Sequence, residues 1–304
     1  MIATSQTLKS SEDLMGRSLW ADARHRLLKN RAAVASMIIL GLVAALALLA
    51  PLLSPFAYDE VNYDIIACAP GWWPAQASCI APGHIFGTDA VGRDLFVRVL
   101  FGARVSLAVG LVATLVSLLI GVLYGATAGY LGGRIDGLMM RIVDVLYSLP
   151  FIFFVIILMV IFDRNFILLF VAIGAVEWLT MARIVRGQTL SIKQKEFIEA
   201  ARASGVSPFG IILRHVIPNV VGPVMVYVTL TVPGVILTES FLSFLGLGIQ
   251  EPLTSWGVLI SDGANEMETA PWMLIFPALF MAVTLFCFNF IGDGLRDALD
   301  PRDQ

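Results

Sequence analysis

The residues that could do chemistry are few, and their spacing argues against catalysis. His25, His84 and His215 are the only histidines, and none has a second His or a Cys at metal-ligand spacing. Neither G-x-S-x-G nor H-E-x-x-H occurs, so a strained nucleophile turn and a zinc-binding helix are both missing. No G-x-x-x-x-G-K-[ST] occurs either. Gly129–Gly133 is glycine-rich but no Lys follows it, and it is better read as a turn. The chain therefore cannot cradle ATP phosphates in a P-loop, and any energy must come from elsewhere. Thr88, Asp89 and Asp94 offer oxygens for a cation, but capping the segment Leu95–Arg104 is the simpler use of them. No cofactor, no metal and no nucleic acid is expected on this chain, and it is not expected to be an enzyme.

The elements that carry these residues are membrane elements. Of 304 residues, 58% are apolar and 14% charged, with a mean hydropathy of +0.84; a soluble domain carries roughly a quarter charged residues. Ala32–Leu53, Val105–Gly133, Val145–Phe162, Val216–Thr238 and Ala270–Ile291 contain no Asp, Glu, Lys or Arg, and each has at least 18 residues. At about 1.5 Å per residue each can cross a hydrocarbon core of roughly 30 Å. Asn165–Ala182 is a sixth candidate, interrupted by Glu177. Ser240–Gln250 is apolar but only 11 residues long, and is expected to be re-entrant or interfacial. The fold class is thus all-α, a polytopic membrane protein with about six spans. Ser18–Asn30 precedes them as an amphipathic helix suited to the interface, with Leu19, Trp20, Ala23, Leu27 and Leu28 on one side.

The basic residues sort by segment. Six Lys or Arg precede Ala32, Arg134 and Arg141 lie in the expected turn 130–144, and six more lie in 183–215. Residues 54–104 hold three basic residues against five acids, and 239–269 hold no Lys or Arg at all. The positive-inside rule puts both termini, 130–144 and 183–215 in the cytoplasm. Cys68 and Cys79, in the first outer loop, either pair across the insert Ala69–Ser78 or stay free; an oxidising exterior favours pairing.

Two spacings predict packing. Ala113, Ser117, Gly121, Gly125 and Gly129 fall on one helix face and invite a neighbouring backbone to approach. Pro150, Pro218, Pro223, Pro233 and Pro277 each remove an intrahelical hydrogen bond and bend a span. In the basic loop, Ser191 with Gln194 resembles a capping box and predicts a helix from near Ile192. Gly205 stops it, and Ser207-Pro208 starts another. Ala200, Ala201, Ala203 and Gly205 crowd small side chains beside that turn, where they suit either an ordinary cationic loop or a surface seated in a partner's cleft.

The pattern Glu199-Ala200-Ala201, then Gly205, then Pro218 resembles the EAA loop of permease subunits of binding-protein-dependent ABC importers, with His215 and Ile217 where that pattern has Ile and Leu. Phe86–Asp89 with Gly92–Asp94, Leu242–Gly248, Ser255–Gly257 and Gly292–Pro301 extend the resemblance to the peptide-importer branch, most to its C-type subunits. The resemblance implies a heteromeric importer in a bacterial inner membrane. Its partners would be a homologous permease, two cytoplasmic ATPases that hold ATP and Mg, and an extracytoplasmic solute-binding protein. Glu199, Ala200, Ala201 and Gly205 would contact the ATPases. Glu239 either lines the substrate path, meeting a peptide's amino terminus, or is a water-exposed interfacial acid, the preferred reading; Glu177 is expected at the inner interface. The expected organisation is a cytoplasmic tail 1–31, a permease domain 32–292 and a tail 293–304. Within the domain lie an outer loop 54–104, a coupling loop 183–215 and an outer segment 239–269. The alternatives are a stand-alone secondary transporter or channel, or an importer of nickel or another small solute.

Overall fold

Apolar helices cannot be held together in lipid by the hydrophobic effect, so close packing and polar pins between them decide the fold. The computed structural model describes residues 19–73, 79–161 and 166–299. Most of the first tail, the end of the last one, the connection 162–165 and part of the Cys68–Cys79 insert lie outside them. The helices in order are α1 (Leu19–Lys29), α2 (Arg31–Leu53), α3 (Leu95–Leu131), α4 (Gly133–Ser148), α5 (Phe151–Ile161), α6 (Phe166–Ile192), α7 (Glu196–Ala203), α8 (Pro208–Ile211), α9 (Ile217–Phe244), α10 (Trp256–Asn265) and α11 (Trp272–Leu299). A π-helical turn, Ile212–Val216, joins α8 to α9.

Among the described residues α2, α3, Pro208–Phe244 and α11 are each long and apolar enough to cross a membrane. A fifth crossing arises if α4 and the start of α5, bent by 78°, count as one broken span. The sixth expected crossing corresponds to α6, 27 residues or about 40 Å long.

The small-residue stripe on α3 does what its spacing predicts. It faces α6, and a Cβ on Gly125 would come within 2.3 Å of the Ala182 carbonyl oxygen, so only hydrogen fits there. Beside this seam Tyr124 meets Trp178 edge-on, ring centres 5.0 Å apart.

Of the five prolines named above, only Pro150 interrupts a helix; the others sit within continuous ones. Pro51 shows how a proline is tolerated. It lies inside the last turn of α2, beyond which the helix continues to Leu53. Its missing N–H leaves the carbonyl four residues earlier, Ala47, without its helical donor, and the Arg104 Nε of α3 donates to that oxygen. Arg104 Nη2 also donates to the Leu48 carbonyl at 2.8 Å.

Several expectations are corrected. The segment 130–144 is not a turn: after a break at Gly132 it is the first part of α4. Ser240–Gln250 is not a separate re-entrant piece, because its first half is the last turn of α9. Glu239 is 0% exposed, so it is neither a water-exposed acid nor on this chain's surface. Its Oε1 accepts from Ser243 Oγ at 2.7 Å and from Ser255 Oγ at 2.6 Å. Ser255 also caps α10, accepting from Val258 N at 3.2 Å. The next residue, Trp256, donates its backbone N–H to Ser106 Oγ and its indole N–H to the Val99 carbonyl of α3. Glu239 thus ties α9 to α10, which is itself pinned to α3.

That end of the molecule, the disulfide end, is closed by residues 54–73 and 79–94. Cys68 and Cys79 are joined, and two short parallel strands, Ala69–Pro70 and Ile80–Ala81, lie beside the bond. Thr88 exchanges hydrogen bonds with the Cys68 backbone and accepts the Trp272 indole N–H on its carbonyl at 3.2 Å. Asp89 pairs with Arg93 at 2.7 Å and with fully buried Arg98 at 3.2 Å; Arg93 reaches on to Glu251. Asp94 caps α3 through Val97 N and pairs with His84 at 2.7 Å. These acids are therefore spent on structure. Burial pushes the Asp262 carboxyl above its ordinary range, against the pull of Arg98 and Arg93.

The seam yields a first prediction. Gly125→Leu will lower the thermal denaturation midpoint of the detergent-solubilised protein, with overpacking costing about 1–3 kcal/mol. Gly137→Ala, inside α4 where a Cβ meets nothing within 4 Å, will not lower the midpoint, because Ala is the better helix former.

Candidate functional site

At the opposite end, α6 runs into the segment expected to be a loop. Ser191 lies within its last turn, so the expected capping box with Gln194 does not form. α7 begins instead after Lys195, whose backbone is extended and whose side chain makes no cap bond. Its first turn carries Glu196 and Glu199 and its last turn Arg202, signs that suit the helix dipole at each end. The reason the start is displaced is that residues up to Ile192 still have α3 to pack against, and tertiary contact outweighs a local capping signal.

One residue seats α7. Ile198 is 0% exposed and enters a cluster with Tyr130 of α3, Met181 and Val185 of α6, and Ile211 and Val216. The opposite face is open: Glu199, Ala200 and Ala203 are exposed and Ala201 is half-buried. α7 ends as its sequence predicts. The Val206 N–H bonds the Ala201 carbonyl at 3.1 Å and the Gly205 N–H bonds the Arg202 carbonyl at 3.0 Å, a Schellman closure. Gly205 has φ +78°, where an L side chain is strained, although the space around its Cα is open. Ser207 then caps the next helix through Gly210 N at 3.2 Å, with Pro208 at its first position.

Of the four residues singled out from the sequence, Glu199, Ala200 and Gly205 are exposed, whereas Ala201 is half-buried against the Ile198 cluster. Two aromatic side chains that the sequence pattern did not flag flank them, Phe197 at 42% and Phe209 at 66% exposure. Their signal was available: Phe197 stands next to the inward-facing Ile198 and Phe209 two positions before the inward-facing Ile211, yet each is itself large and apolar. The surface is rigidly mounted. Lys193 and Arg202 both lie over the Tyr130 ring, 5.8 and 5.9 Å from its centre. Arg186 makes a two-pronged ion pair with Asp136 of α4, at 2.5 and 2.7 Å. Arg183 pairs with Asp144 at 2.8 Å and stacks over Tyr147. Arg183 and Arg186, counted in the loop from sequence, therefore staple α6 to α4. Chemically the surface offers no nucleophile, base or metal-ligand set; among the described residues no group of three or more His, Cys, Asp or Glu could hold a metal ion. What it offers is a mounted apolar and small-residue face that a partner can grip.

Comparison with known proteins gives the same direction. Residues 117–302 match the model described as the binding-protein-dependent transport system inner membrane component. Residues 18–70 match the N-terminal TM domain of oligopeptide transport permease C. The chain is 61% identical over 303 residues to the oligopeptide transport system permease protein OppC of Escherichia coli strain K12, covering 99% of this chain and 98% of that protein. It is 44% identical over 285 residues to OppC of Bacillus subtilis (94% and 90% covered). To the dipeptide transport system permease protein DppC of the same organism it is 46% identical over 282 residues (92% and 85% covered).

The mounting of α7 can be tested directly. Ile198→Ala will cost about 2–5 kcal/mol of local packing, and limited proteolysis of the purified protein will then cut between 193 and 207 faster. Phe197→Ala, which removes an exposed ring, will leave the cleavage rate unchanged.

Proposed function

This chain belongs to the family of inner membrane components of binding-protein-dependent transport systems, and from that premise we propose that it forms half of the pore of an ATP-driven oligopeptide importer. The oligopeptide substrate rests on the names of its similar proteins. In this reading the second half of the pore is a homologous permease. Two cytoplasmic ATPases bind ATP with Mg, and an extracytoplasmic binding protein delivers the peptide. The chain sits in a bacterial inner membrane with both ends and the α7 surface in the cytoplasm. The charge distribution supports that orientation, as does the close approach of Gly294, near the end of α11, to Ala33 at the start of α2.

The observation that carries the reading is the α7 surface: small residues and two exposed phenylalanines around a fixed Gly205 turn, on a chain whose sequence has no P-loop. ATP binding would draw the two ATPases together. Because Ile198 roots α7 in a cluster shared by α3, α6 and the foot of α9, a push on the surface reaches three spans at once. The chain's own work is mechanical, and no bond of the peptide is made or broken.

Two results check this. Purified alone into proteoliposomes, the chain will move no peptide, whereas the co-purified complex with its binding protein will take up peptide only with ATP; uptake by the lone chain would overturn the reading. Gly205→Arg will insert normally, place a long charged side chain in the gripped face, and lower ATP-driven uptake at least tenfold. Uptake at the unaltered rate would remove the α7 surface from the coupling path.

A further inference from the structure

The break at Pro150 leaves a feature that coupling does not use. Leu149 is extended between α4 and α5, and the two helix axes diverge by 78°. Pro150 has no N–H to donate, and Tyr147 and Leu149 are each 53% exposed on this chain's surface. Irregular backbone at membrane depth does not face lipid; it is covered by protein or lines a water-filled space. Across the break, in the middle of α6, stands Glu177. It lies about 17 Å along that helix from Phe166, six residues before Arg183.

Between them is a cavity of about 270 Å³ lined by Leu146, Tyr147, Leu149, Phe151, Glu177 and Thr180. The nearest guanidinium toward the loop end is already used, since Arg183 is held by Asp144 and the Tyr147 ring. Arg186 is held by Asp136. Among the described residues Glu177 has no ion-pair partner. The cavity also receives the C-terminal, negative end of the α4 dipole. A carboxylate and a helix C-terminus both favour a cation. The volume is below the roughly 300–1,000 Å³ of a whole-ligand pocket, so it suits one charged group rather than an entire peptide.

We propose that this cavity is a way-station in the translocation path that receives the α-ammonium group of the passing peptide, with Glu177 as its counter-charge. The proposal rests on the oligopeptide-importer reading above and adds a residue-level contact to it. Glu177 holds the ammonium by charge-assisted hydrogen bonding, the negative end of the α4 dipole adds to its field, and release requires only that the α4–α5 break move relative to α6.

The test uses the assembled importer with its binding protein in vesicles of phosphatidylglycerol and cardiolipin, so that no lipid ammonium competes. Trialanine uptake at saturating binding protein will fall about tenfold or more in Glu177→Gln and stay within about threefold in Glu177→Asp. A second readout does not depend on uptake. In a Thr180→Cys, Cys287→Ala variant, a trimethylammonium-bearing thiosulfonate will label position 180 about tenfold faster than a sulfonate-bearing one. Trialanine will slow that labelling, and adding Glu177→Gln will abolish the charge preference. Unchanged uptake in Glu177→Gln, or equal labelling by the two reagents, overturns the proposal. So does loss of the partner permease from the Glu177→Gln complex, which would give Glu177 a cation on that partner instead. If the unaltered complex takes up no trialanine, the importer reading itself fails, a result distinct from failure of Glu177→Gln alone.

Discussion

The contact between α3 and α6 is the constraint on which the rest of the structure depends. In hydrocarbon, two helices gain nothing from leaving lipid for each other unless their backbones can meet closely. Here they meet because Gly121, Gly125 and Gly129 present hydrogen where any side chain would collide with Met181, the Ala182 carbonyl or Thr189. With that seam fixed, Tyr130 at the end of α3 is placed to receive Ile198, Lys193 and Arg202. Asp136, just beyond α3, is likewise placed opposite Arg186. The α7 surface and the bent pair are both hung from one seam.

The opposite end is organised by polar pins. Glu239, Ser255, Ser106 and Trp256 tie α9, α10 and α3 together, while Thr88, Asp89 and Asp94 bind residues 54–73 and 79–94 to α3 and α11. In a low-dielectric setting such buried hydrogen bonds and ion pairs are stiff, and leaving one member unpaired is costly. One end of the molecule is thus braced by polar contacts, and the end that carries α7 is built on apolar packing around Ile198.

Much of this was legible in the sequence, where the signal is local and periodic. The apolar runs, the four-residue stripe, the Asp94 cap, the Gly205 stop and the Ser207-Pro208 start each depend on neighbours within one turn. Glu239 was misjudged because its position near the edge of an apolar run says nothing about which serines of a distant segment fold over it. Ser191 and Gln194 looked like a cap because the competing contact, α6 against α3, is made by residues some sixty positions earlier. Arg183 and Arg186 looked like loop charges until α4 supplied Asp144 and Asp136. Among the prolines, Pro150 is set apart by context. Arg104 serves the carbonyl exposed by Pro51, whereas the break at Pro150 opens on the cavity beside Glu177.

The Cys68–Cys79 bond carries a consequence for biogenesis. Thiols couple on an oxidising side, so in the orientation proposed above the bond is made only after Cys68 and Cys79 have both been threaded across the bilayer. The spans need no such chemistry. Maturation therefore has two clocks, insertion of the helices and, later, oxidative closure of the lid that Trp272 and Thr88 latch. A cell that inserts the chain without an oxidant at hand would accumulate a threaded but unlatched subunit.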